Sequence, residues 1–192
     1  MAPPKTPPLA PPPRSNRSTL ISLVGVREMT HETVADRSDD WHTPAYIFEA
    51  LGLTFSIDVA APIEGPKHTP CYNWYHAIDD GLRRKWYGTV WMNPPFGHQR
   101  QKIDWLNKFF DHGDGIALFP DRTSAPWWQE AAPKADAILF VNGKIKFIRP
   151  DSTIGTQPGT GTTLFACGPR AVAALIQSRL GQVVTPIGNN WK

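Results

Sequence analysis

Residues 41–192 predict an α/β fold, a mostly parallel sheet covered on both faces and ending in an antiparallel hairpin. Two observations carry this expectation. Short apolar runs of strand length alternate with runs whose apolar residues recur at helical spacing. Near the C-terminal end, Asn142-Gly143 stands between two such short runs, a strong two-residue hairpin signal.

The chain opens with seven of its 20 prolines in MAPPKTPPLAPPP, followed by the basic stretch RSNRS. Proline has no amide donor and a fixed φ, so this run is expected to be an extended, solvated arm. Residues 1–40 read as a disordered extension, proline-rich and then acidic, and Met29 is an alternative start within it. The folded domain is expected over 41–192. A helix is predicted from Pro44 to Leu51, capped by Asp39 or Asp40 and ended by Gly52. Strands follow at Leu53 to Val59 and Thr89 to Met92. Ile103, Leu106, Phe109 and Phe110 share a helical face, and Ile116 to Phe119 is the next strand. Trp127 to Ala132 is a short helix, and being adjacent on it, Trp127 and Trp128 are not both expected to face inward. Ala137 to Val141 returns through the hairpin into Lys144 to Ile148. A Gly/Thr-rich loop at 154–163, a strand at Thr162 to Cys167 and a helix at Ala171 to Leu180 complete the order.

Composition narrows the function classes. Two cysteines, Cys71 and Cys167, supply neither a disulfide framework nor a four-thiolate zinc site, which fits a reducing cytoplasm. His68, Cys71 and His76 lack a fourth ligand at useful spacing, so no metal is expected. No apolar run approaches membrane-span length, so no membrane association is expected. The net charge of +3 falls entirely on residues 41–192, because residues 1–40 hold five basic and five acidic groups. Such a balance admits a nucleic-acid partner.

The chemical signal is VWMNPPFG, in which an apolar strand runs directly into Asn93-Pro94-Pro95-Phe96. Open α/β sheets place ligands beyond the carboxyl ends of their strands. The residue types suit methyl transfer to a planar amino group, a poor nucleophile because its lone pair is delocalised. Two acceptors, Asn93 Oδ1 and the Pro94 carbonyl held by consecutive prolines, would turn the N–H bonds and localise that lone pair. Phe96 offers a π-face for an extruded base. The bland alternative is a simple turn after a strand.

Around this motif the order WHTPAYIFEALGLTFSIDVAAP, DDGLRRKWYGTVWMNPPFG, LFPDRTSAPWW and FVNGKIKF resembles the bacteriophage DNA N6-adenine methyltransferase family, the compact Dam-like enzymes. The resemblance covers residues 41 to about 167. It implies a Rossmann-like class I methyltransferase sheet, S-adenosylmethionine as cofactor, double-stranded DNA as partner, and a cytoplasmic monomer or weak dimer. It also implies that Asn93, Pro94, Pro95 and Phe96 are catalytic. Thr43, Pro44, Asp58 and Asp80 become candidates for the cofactor, although no Gly-x-Gly follows the Asp58 strand. Asp58 reads equally as a strand-end cap, and Asp80 as part of a turn. Arg122, Thr123 and Trp127 are candidates for the target pocket, and Lys144 and Lys146 for the DNA backbone. Asn-Pro-Pro-aromatic serves any planar amino nitrogen. Cytosine N4, RNA, a protein amide and a non-catalytic DNA-binding relative therefore remain open alternatives.

Overall fold

A computed structural model describes residues 41–96, 99–155 and 158–186. The expectations for residues 1–40, including the capping role of Asp39 or Asp40, lie outside these residues. The sheet has seven strands: β1 (Phe55–Ala61), β2 (Cys71–His76), β3 (Val90–Met92), β4 (Gly115–Pro120), β5 (Ala137–Val141), β6 (Thr162–Cys167) and β7 (Gly181–Val184). Their order is β2-β1-β3-β4-β6-β5-β7. The first four strands are mutually parallel, and β6, β5 and β7 join through antiparallel pairings.

Side-chain alternation along the central strands divides the core into two layers. Val90, Met92, Ala117, Phe119 and Phe165 lie in one, and Trp91, Ile116, Leu118, Leu164 and Ala166 in the other. Helices α2 (Gln99–His112) and α3 (Pro126–Ala131) cover the first layer. Helices α1 (Ala45–Leu51) and α4 (Pro169–Ser178) cover the second. The α1 helix buries Ile47, Phe48 and Leu51 and ends on Gly52, whose left-handed backbone lets its N–H reach the Phe48 carbonyl. Its start differs from the expectation: Pro44, with extended backbone, occupies the cap position, and no side chain among the described residues caps the helix.

Three further expectations are corrected. The Asn142-Gly143 hairpin does not form, because both edges of β5 are occupied, by β6 and by β7. Asn142 N–H instead donates to the Leu180 carbonyl, and residues 144–148 leave the sheet with Ile145 anchored in the core. The C-terminal helix stops at Ser178, and a strand unforeseen in the sequence, β7, follows it. Trp127 and Trp128 are both buried, at 6% and 7% exposure. About 100° of helical rotation separates them, and their indoles reach opposite flanks of the same layer. Trp127 meets Phe119 at 5.8 Å, while Trp128 stacks on Phe140 at 5.9 Å. Trp74, on the edge strand β2, is half-exposed.

Candidate active site

Strand β1 has β2 on one side and β3 on the other, so chain order reverses between β1 and β3. The crevice beyond the carboxyl ends at such a reversal is the usual ligand position of an open α/β sheet. Asn93 is the first residue beyond β3. Alternation after Trp91 sends its side chain toward the α1 layer, where the segment Trp41–Pro44 waits. Asn93 Nδ2 lies 3.3 Å from Thr43 Oγ1 and 3.5 Å from the Trp41 carbonyl oxygen. A carbonyl only accepts, so the amide must present Nδ2 to Trp41 and turn Oδ1 away from that segment. Pro94 is buried, Pro95 exposed, and the half-buried Phe96 ring rests on Phe119 at 5.7 Å.

The Trp41–Pro44 segment is itself held firmly. His42 exchanges backbone hydrogen bonds with Ile148, N–H to O at 2.8 Å and O to H–N at 3.0 Å. The Arg149 guanidinium lies 5.1 Å from the centre of the Trp41 ring. Gly155 packs so closely that a Cβ there would stand 2.1 Å from Trp41 Cζ3 and 2.9 Å from the Phe147 carbonyl oxygen. Lys144 and Lys146 are exposed on either side of buried Ile145, on the run leading to this contact. Nothing in the sequence points to the Trp41 carbonyl as an acceptor for Asn93. A backbone acceptor leaves no trace in residue type.

Asp58 sits in β1 rather than at its end, 3% exposed, with Oδ1 accepting from Ala60 N–H at 3.1 Å. Burial pushes its carboxyl up to about 7, against the smaller opposing effect of hydrogen bonds from Ala60 and Thr69. Asp80 lies beyond the β2 end with left-handed backbone, half-exposed and 3.2 Å from Arg83 Nε. Arg122 and Thr123 are exposed in the turn after β4, the strand next to β3, and so share the carboxyl-end face with Asn93. Trp127 is in the core, so the expectation that it contributes to a target pocket is not supported. His42 was not singled out from the sequence. It is 4% exposed, its Nε2 has no hydrogen-bond partner among the described residues, and burial and Lys67 lower its pKa.

No helix among the described residues is long and apolar enough to cross a membrane. No curated protein and no solved structure matches the chain. A family model for DNA N-6-adenine-methyltransferase (Dam) does match, over residues 30–166. The matched stretch takes in Trp41–Pro44 and Asn93–Phe96, which meet beyond the end of β3, and Asp58, which is buried within β1. The chain therefore belongs to the DNA N-6-adenine-methyltransferase (Dam) family.

Proposed function

We propose that this chain transfers a methyl group from S-adenosylmethionine to the N6 atom of adenine in double-stranded DNA, with Asn93, Pro94, Pro95 and Phe96 as the reacting motif. The observation that carries the reading is the orientation of Asn93. Its Nδ2 is engaged by Trp41 and Thr43, which leaves Oδ1 as the acceptor the chemistry requires. Asn93 Oδ1 and the Pro94 carbonyl accept the two N–H bonds of the target amino group and draw its lone pair out of conjugation. Because the acceptors are fixed beforehand, little reorganisation accompanies the reaction. Phe96, backed by Phe119, stacks on the flipped base. The extra proton of the methylated amine leaves to water.

The residues present fit the proposed cofactor. Asp58 holds a carboxyl at the reversal point whose charged form burial disfavours, so the methionine ammonium is a partner that would favour its ionisation. Thr43 and Pro44 border the same crevice, although the Thr43 hydroxyl is committed to Asn93. Asp80 pairs with Arg83 through Oδ2, and its second carboxylate oxygen could accept from a ribose hydroxyl. S-adenosylmethionine supplies an electrophilic sulfonium methyl when bound. Arg122 and Thr123 face the target strand, and Lys144 and Lys146 grip phosphates. The test is mass analysis of nucleosides from unmethylated DNA and RNA exposed to the protein and S-adenosylmethionine. N6-methyladenine in DNA is expected. Methyl groups only on cytosine or RNA would overturn the reading.

A further inference from the structure

Moving an adenine out of a duplex leaves a gap in the base stack, and proteins that open such gaps insert apolar side chains into them. Ile154 is 67% exposed. The more exposed apolar residues, Tyr72 and Ile78, belong to the β2 edge and the turn after it. Ile154 instead stands on a short loop tied directly to the segment that holds Asn93. It bridges Ile148, and Ile148 bridges His42, so three chain segments lie side by side. At the usual strand spacing this places Ile154 about 10 Å from His42.

The loop is stiff. Arg149 N–H donates to the Thr153 carbonyl and Ser152 N–H to the Arg149 carbonyl, while Asp151 Oδ1 accepts from both the N–H and the hydroxyl of Thr153. Lys67 Nζ donates to the Pro150 carbonyl and to Ser152 Oγ. Arg149 Nη1 donates to the Ile154 carbonyl at 3.4 Å while its guanidinium covers Trp41. Lys67 and Arg149 supply two positive charges on this element against the one carboxylate of Asp151, a net charge of the sign that close approach to phosphates requires. An exposed isoleucine on a hydrogen-bonded loop that carries Lys67 and Arg149 is suited to entry between bases.

We propose that Ile154 is the wedge that occupies the space vacated by the target adenine. The inference rests on the adenine methyltransferase reading above. Its anchoring through Ile148 and His42 couples insertion at the stack to the position of Asn93.

The test uses two duplexes carrying an adenine context that the wild-type protein methylates, as read by sequencing modified DNA. In one the target adenine faces thymine, and in the other it faces an abasic site, where unpairing costs little. Ile154→Ala is expected to lower the methylation rate about tenfold on the paired duplex and to leave the abasic duplex nearly unaffected. Ile154→Met should restore the paired rate. Equal rates for wild type and Ile154→Ala on the paired duplex would overturn the proposal, as would equal losses on both duplexes. Wild-type methylation of either duplex keeps the parent reading intact whatever Ile154→Ala does. If sequencing finds no adenine context that the wild type methylates, the parent reading and the proposal fall together.

Discussion

Asn93 Nδ2 lies 3.3 Å from the Thr43 hydroxyl, although 50 positions separate the two residues in the chain. One partner follows a central strand and the other precedes the first helix, so the contact exists only when sheet and helix have packed. Removing the hydroxyl should free the Asn93 amide to rotate. Thr43→Val is expected to lower kcat by roughly 10- to 100-fold with a smaller change in KM, and Thr43→Ser to recover most of the loss. Steady-state kinetics of methyl transfer checks this.

Gly155 carries a related prediction. A methyl group at this position would collide with the Trp41 ring and the Phe147 carbonyl, and backbone cannot yield as a flexible side chain can. Gly155→Ala should displace Trp41, disturb its carbonyl contact with Asn93, and cut methyl transfer while DNA binding survives. Parallel measurements of methylation and of DNA affinity separate the two effects.

The buried carboxyl of Asp58 makes stability depend on pH. Its pKa stands near 7 in the fold against 3.8 for an ordinary carboxyl, so the folded state holds a proton that the unfolded state has lost between those values. Stability contributed by the protonated form is full below the unfolded pKa and is lost as pH rises through the folded one. Asp58→Asn stays neutral throughout and should remove this dependence. Thermal melts are expected to show the variant more stable than wild type at pH 8, with the difference narrowing as pH falls below 7. The same variant should weaken S-adenosylmethionine binding measured by calorimetry.

Trp128 stacks on Phe140 and donates through Nε1 to Thr163 Oγ1 at 3.4 Å. Trp128→Ala should cost about 3–5 kcal/mol of folding stability by leaving a large cavity. Denaturant unfolding measures the loss, which a surface position would not produce.

Lys144→Gln together with Lys146→Gln should weaken DNA binding to all sequences alike. The slope of log affinity against log salt is expected to shrink by about 0.9 for each phosphate that the variant no longer neutralises. Binding titrations over a salt series give that slope.

How far the sequence discloses this arrangement varies with the kind of signal. The motif Asn93–Phe96 was legible because an apolar strand and two prolines fix both its place and its shape. The five central strands and four helices were legible for the same reason, since buried runs write themselves in apolar residues. Strand β2 was not, because Cys71–His76 lies at the sheet edge and its exposed Tyr72 and Trp74 break the apolar pattern. The Asn142-Gly143 hairpin misled because a local turn signal does not reveal that later chain, β7, will claim the same strand edge. The supports of Asn93 were only partly legible: Trp41 acts through a backbone carbonyl that residue type does not reveal, and Thr43, expected at the cofactor, gives its hydroxyl to Asn93.

Whether Asn93 performs methyl transfer at adenine N6 is decided by comparing wild type and Asn93→Ala on unmethylated DNA with labelled S-adenosylmethionine, alongside DNA affinity. N6-methyladenine is expected from the wild type and none from Asn93→Ala, with DNA binding by the variant largely preserved. Methylation by Asn93→Ala at the wild-type rate would contradict the role given to this residue.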